Sequence, residues 1–305
     1  MAKARAIVKR RKAIRNIRKI TKTMQMIATA QFQKSLRRAV ASKPYSLKVR
    51  ELVQELAASV GDVEHPLLRQ PTDADRKRKI ALAVITSNRG LAGAYNGNVL
   101  RAANVFIREQ VAAGNAIDLY VAGKKGISFF NFQKRPITQR IDLAEPVRFA
   151  DAEALAEQFI AQFAGGQVDA VYVASMNFKS ASTQRAEVIS LLPLAGVKSA
   201  EPASPAAPAV AEPALHKTVV YEFSPEPMVL LDELLPLTVR TALFQCFLDA
   251  ATSEHVARMI SMKSATDNAD KMVKSLTMQY NRARQSQITT ELSEIMGGVE
   301  AMKGG

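Results

Sequence analysis

The sequence predicts a Rossmann-like α/β domain set between two long helices that pair as an antiparallel coiled coil. Three observations carry this. From Ala4 to Val60 there is no glycine and one proline, Pro44. From about Leu230 to Met302 the chain keeps a helical repeat broken only near its end by Gly297 and Gly298. Between these stretches, apolar runs of strand length alternate with amphipathic helical segments, the pattern of a mainly parallel sheet.

The N-terminal helix takes residues 1–60, and Pro44 should end or kink it near Lys43, because proline has no N–H to give and its ring crowds the preceding turn. Its seam reads Ile7, Ile14, Thr21, Ala28 and Ser35 in one column and Arg10, Ile17, Met24, Gln31 and Arg38 in the other. The C-terminal helix, 228–302, has the columns Met259, Thr266, Val273, Tyr280, Gln287 and Met262, Ala269, Leu276, Ala283, Thr290. A helix of that length spans roughly 100 Å and is marginal unless another helix supports it. A helical bundle is the alternative arrangement, but seams this small and polar suit a slender pair better than a bundle core.

Within the α/β domain, 75–195, the strands expected are Lys79–Ser87, "AIDLYVAG" and "VDAVYVASM". Helices are expected at Tyr95–Ala113, from Lys124, and at Phe149–Phe163. The turn "NFKSASTQ" then leads into "RAEVISLLPL" as a hairpin. Residues 196–217 are rich in Pro and Ala and read as an extended, mobile excursion.

Composition limits the function classes. No run approaches the roughly twenty apolar residues of a membrane span, and the basic start lacks the apolar stretch of an export signal. A bacterial cytoplasmic compartment fits best. The net charge of +14 is concentrated: sixteen of the 42 Lys and Arg precede the first acid, Glu51, leaving 26 bases against 28 acids. A helix without carboxylates cannot relieve its repulsion through i,i+4 pairs, so an acidic partner is expected. Nucleic acid, an anionic membrane or an acidic protein surface would serve.

No self-contained catalytic site is legible. Cys246 lies in a helical apolar face and reads as an inert buried thiol. His65, His216 and His255 have no partners at ligand spacing, so no metal or cofactor is expected. The loop "TSNRGLAGAYNGN", Thr86 to Asn98, stands where a phosphate loop would. Yet it lacks the P-loop pattern, and Gly90, Gly93 and Gly97 do not form GxGxxG. Its glycines read as the means of a tight strand-to-helix turn, which leaves Arg89 and the polarity of the loop unexplained.

"IRNIRKITKTMQMIATAQFQK", "TSNRGLAGAYNGN" and "SEHVARMISMKSATDNADKMVKSLTMQYNRARQSQITTELSEIMGG" together resemble the gamma subunit of the F-type ATP synthase. The resemblance implies a non-catalytic rotor shaft, peripheral to the cytoplasmic face of the bacterial inner membrane. Its partners are then the alpha and beta subunits, epsilon and the c-subunit ring, with no nucleic acid. Met24 and Arg258 match the family's coupling residues, and Arg284, Gln285 and Thr289 match residues that catch a beta subunit. The resemblance sets Arg10, Arg11, Lys19 and Lys22, with Arg89, against an acidic beta segment. Phe223 and Glu226 fall at the family's contact with the c ring and epsilon, where Ser224 replaces a frequent carboxylate. The alternative function is a basic coiled-coil protein that binds nucleic acid.

Overall fold

The computed structural model describes residues 2–60, 65–69, 77–142, 145–194 and 227–303. Phe223, Glu226 and the Pro/Ala-rich stretch 196–217 lie outside the described residues. Contacts group the chain into an α/β unit of residues 33–90 and 94–254, and a shaft unit of residues 1–32, 91–93 and 255–305.

Helix α1 runs Ala2–Val60 with Pro44 inside it, so the proline does not end the helix as its chemistry suggested. The disruption, about 3 kcal/mol, is outweighed downstream. Val49, Val53 and Leu56 are buried at helical spacing, and each such burial contributes roughly 1.5–3 kcal/mol.

The sheet contains β1 (Lys79–Ile85), β2 (Ala116–Ala122), β3 (Gln139–Ile141), β4 (Ala170–Phe178) and β5 (Gln184–Leu192), in the order β3-β2-β1-β4-β5. β1 pairs in parallel with β2 and β4, β2 pairs in parallel with β3, and the expected hairpin adds β5 antiparallel at the edge. A central strand covered on both faces must be apolar throughout. "KIALAVI" is buried from Ile80 onward, and the strand ends at Ile85, two residues short of the sequence expectation. Helices α2 (Tyr95–Ala112), α3 (Lys124–Phe132) and α4 (Phe149–Ala164) are the crossovers.

Helix α5, Pro227–Lys303, has 77 residues. Its first third joins the core: Leu231, Leu235, Val239, Leu243, Phe247 and Ala250 repeat at helical spacing in the cluster that also holds Phe159 and Phe163 of α4. By length and composition this helix contains a stretch able to cross a membrane, although no unbroken apolar run marks it. Half of that stretch is buried in the chain's own fold, as in the core helix of a globular protein.

In the shaft unit, three contacts give the direction of pairing. Thr21 meets Thr266, Arg18 meets Asp270, and Arg11 lies over Tyr280. Residue numbers fall along α1 as they rise along α5, so the helices are antiparallel. Apart from Leu91–Gly93 the unit is made of these two helices, which sets aside the bundle alternative among the described residues. Both predicted columns of α5 are buried or half-buried along the seam except at Thr290, which is exposed, and the Ile7 column of α1 is buried or half-buried throughout. The second α1 column is mostly turned away: Met24 is half-buried, but Arg10, Ile17 and Gln31 are exposed, and Arg38 donates to the Val147 carbonyl within the α/β unit. The seam instead takes Arg11, Gln25, Phe32 and Ala39, one residue further on. A heptad admits steps of three or four from each seam residue, and this helix uses four.

Candidate functional site

Two regions bear on function: the loop after β1 and the surface of the paired helices. The loop begins with Thr86, Ser87 and Asn88, whose polarity has a structural purpose. Thr86 Oγ1 donates to the Ala122 carbonyl at 2.7 Å and accepts from the Gly126 amide at 2.9 Å. The Ser87 carbonyl accepts from the Lys125 amide at 3.1 Å, and Asn88 Oδ1 accepts from the Lys124 amide at 3.2 Å. The first three amides of α3, the orphan donors that would hold a phosphate, are therefore used by the chain itself. Close fit enforces this: a Cβ on Gly123, at φ 90°, would lie 2.2 Å from the Thr86 carbonyl oxygen.

Around this cap the loop is tied down further. The Ser87 amide donates to Asn96 Oδ1 at 3.0 Å, and Ser87 Oγ donates to the Arg89 carbonyl at 2.6 Å. Asn88 Nδ2 donates to Glu145 Oε1 at 3.0 Å. At the strands' C-terminal edge, Ile85, Thr86 and Tyr95 face Phe247, Ala250 and Glu254 of α5 across a cavity of about 60 Å³. Ligand pockets of this class need several hundred Å³, so the usual nucleotide crevice of such a sheet is closed.

The glycine reading of the loop holds at Gly93 and fails at Gly90. Gly93 has φ 56°, and a Cβ there would stand 2.6 Å from Ser261 Oγ. Gly90 carries no left-handed φ and would accept a Cβ at an ordinary 3.5 Å from Lys125. The other left-handed residue of the turn is Leu91, at φ 63°.

On the shaft, Arg10, Lys19 and Lys22 are exposed and Met24 is half-buried. Arg11 is drawn inward, its guanidinium 5.0 Å from the Tyr280 ring centroid. Arg258 is only 8 % exposed and presents little surface to another molecule. Arg284, Gln285 and Thr289 are exposed on α5, with Thr289 Oγ1 donating to the Gln285 carbonyl at 3.0 Å. Arg89 is exposed at its loop. Sequence reasoning missed Arg18, whose Nε lies 2.5 Å from Asp270 Oδ1, so the acid-free stretch of α1 finds part of its counter-charge on α5. It also missed a cleft of about 530 Å³ on the shaft, lined by Arg18, Lys19, Lys22, Lys263, Asp267 and Asp270. The signal available was that Arg18 falls seven residues from both Arg11 and Gln25, in the seam column that the structure uses.

Nothing at either region is arranged for bond chemistry. Cys246 is buried, and desolvation, reinforced by the nearby Asp249 charge, pushes its thiol up to about 12, so the reactive thiolate is negligible at neutral pH.

The sequence profile described as ATP synthase matches residues 3–302. The ATP synthase gamma chain of Rhodopirellula baltica is 41 % identical over 305 residues, covering 100 % of both chains. That of Leptospira biflexa is 39 % identical over 303 residues, covering 99 % of this chain and 100 % of its own. Among solved structures, a chain of the Euglena gracilis mitochondrial ATP synthase OSCP/F1/c-ring assembly superposes with a TM-score of 0.65 at 17 % identity, covering 99 % of this chain and 95 % of that one. A chain of the Tetrahymena thermophila mitochondrial ATP synthase central stalk/c-ring structure gives 0.57 at 21 % identity, covering 81 % of this chain and 99 % of that one. At these identities the two structures share the fold.

Proposed function

Since this chain belongs to the ATP synthase gamma-chain family, we propose that the rod formed by α1 and α5 turns inside the ring of alpha and beta subunits, while the α/β unit stands with epsilon on the c-subunit ring. The chain is a non-catalytic subunit, the central rotor shaft of a membrane-associated ATP synthase, and it couples proton flow to ATP synthesis or hydrolysis by rotation. Its place is the cytoplasmic face of the bacterial inner membrane. The shaft is drawn from the N-terminal helix, 1–60, and the C-terminal helix, 228–302, with the α/β domain, 75–195, between them.

The observation that carries the partner assignment is the outward face of α1. Among its cations stand Ile17, Ile20, Met26 and Ile27, each 47–63 % exposed. A phosphate backbone rewards the cations alone. A folded protein with acidic and apolar surface rewards both, which favours the beta subunits over nucleic acid. Arg10, Lys19, Lys22 and Arg89 meet acidic beta segments, Arg284, Gln285 and Thr289 catch one beta subunit at a time, and Met24 packs at the turning surface. Arg258 and Arg11 act from within, by holding the rod's shape.

Rotation works here as differential affinity. A shaft whose faces differ stabilises a different state of each beta site at each angle, and moving a site from 1:99 to 99:1 between two states takes about 5.5 kcal/mol. The test is reconstitution with an alpha/beta ring carrying a rotation probe. ATP-driven turning is expected, and a chain that ignores the ring yet retains DNA with steep salt dependence would overturn the reading.

A further inference from the structure

A cleft of about 180 Å³ lies within the α/β unit, where residues 43–50 of α1 and 238–249 of α5 meet β4 and β5. A cavity of about 150 Å³ admits benzene, so the space suits a molecule of roughly that size. Leu47, Ile189 and Ala242 give it apolar walls. Of the hydroxyls around it, those of Ser46, Thr238 and Thr241 donate to carbonyls of their own helices at 3.3, 2.8 and 2.9 Å. Asn177 gives an N–H to Glu187 Oε1 at 2.5 Å, and Gln245 gives one to Asp249 Oδ1 at 3.0 Å. Among the described residues, Gln245 Oε1 is buried and accepts no hydrogen bond. Acceptors therefore outweigh donors around the cleft, and two of the acceptor groups are carboxylates. Lys43 and Arg50 stand exposed at its rim, and the Lys43 charge only partly offsets burial at Asp249, whose carboxyl is pushed up to about 6.

We propose that this cleft binds a small primary alkylammonium ion, with its N–H groups on Gln245 Oε1, Asp249 and Glu187 and its short chain against Leu47, Ile189 and Ala242. An ammonium carries three donors and a positive charge on a compact head, and its aliphatic body is thin enough for the space. It supplies the counter-charge that ionised Asp249 lacks inside the fold. It also gives the orphaned Gln245 oxygen a donor, removing the desolvation penalty of a buried acceptor left unpaired. A metal ion fits less well, since no cluster of three His, Cys, Asp or Glu able to hold one occurs among the described residues. A ligand held by the native state alone stabilises it, so an amine seated here braces these segments of α1 and α5 against the sheet.

The test is calorimetric titration of the full chain with n-butylammonium chloride at neutral pH and constant ionic strength. Saturable binding at a single site is expected. Binding of n-butanol, which lacks the charge, and of tetramethylammonium, which lacks N–H groups, should each be weaker by about tenfold or more. Asp249→Asn should weaken butylammonium binding by a similar factor. That variant removes a buried charge and is expected to fold at least as firmly as the parent, so the loss reports the site. Ala242→Val narrows the cleft and should weaken binding as well. The site is overturned by a titration that shows no saturation in the millimolar range, by tetramethylammonium binding as tightly as butylammonium, or by an Asp249→Asn chain that binds as the parent does.

Discussion

Thr266 donates its hydroxyl hydrogen to Thr21 Oγ1 at 2.8 Å across the two shaft helices, and Thr21 in turn donates to the Arg18 carbonyl at 3.1 Å. Both residues are buried, so this is a polar pin at a closely packed point of a seam of mixed character. A buried pair of this kind fixes register at some expense of stability. Thr266→Val keeps the shape and leaves Thr21 without its donor, which should cost about 1 kcal/mol. Thr21→Val with Thr266→Val should recover much of that, since both partners are then apolar. Thermal unfolding of the two single variants and the double measures the coupling, and additive losses would deny it.

Asp249 supplies a pH dependence. Burial pushes its carboxyl up to about 6 from 3.8; Gln245 Nε2, donating at 3.0 Å, and the Lys43 charge oppose this, and Glu187 adds to it. Because the folded value lies above the unfolded one, the native state holds the proton longer. Ionisation therefore costs stability at neutral pH, and that cost disappears as pH falls from above 6 toward 4. Asp249→Asn should stabilise the chain at pH 7.5 by roughly 1–2 kcal/mol, after allowance for the solvent that reaches this carboxylate. The gain should shrink toward pH 4.5. Denaturant titrations at the two pH values decide it, and an equal gain at both would contradict the assignment.

Gly123→Ala tests the cap on α3. The new methyl would fall 2.2 Å from a backbone oxygen, at a φ that side chains avoid, so the turn must open. A loss of at least ~3 kcal/mol is expected, against roughly 1 kcal/mol or less for Gly114→Ala, where φ is also positive but nothing lies within 4 Å. Chemical denaturation of both variants separates contact from conformation.

Arg284→Ala with Gln285→Ala removes two exposed groups of the shaft. Folding and assembly should be unchanged, while torque under ATP hydrolysis falls. Met24→Lys should likewise impair coupling by placing a new charge at the turning surface. Wild-type proton pumping in these variants would remove the residues from the site.

How far the sequence could be read follows the range of the forces involved. The α5 seam and the strands β1, β2 and β4 were legible because burial repeats along them at a fixed period. β3 was not, because three residues carry no period. The second column of α1 was misplaced because steps of three and four leave equally good patterns in a weakly apolar helix. Arg18 was read as one more cation because Asp270 lies across the seam, beyond any local spacing rule. The loop's polarity was visible, but its meaning was not: Thr86, Ser87 and Asn88 cap a helix that begins only after the next strand.

That cap has a consequence for what the α/β unit requires of its surroundings. In a Rossmann-like sheet a nucleotide commonly seats itself at the carboxyl ends of the strands. Here the seat is filled by the chain's own hydroxyl, carbonyl and amide groups, and α5 closes the crevice above it. The α/β unit thus needs no ligand to complete the edge of its sheet, and added ATP or ADP is expected to leave the thermal unfolding of the isolated chain unchanged.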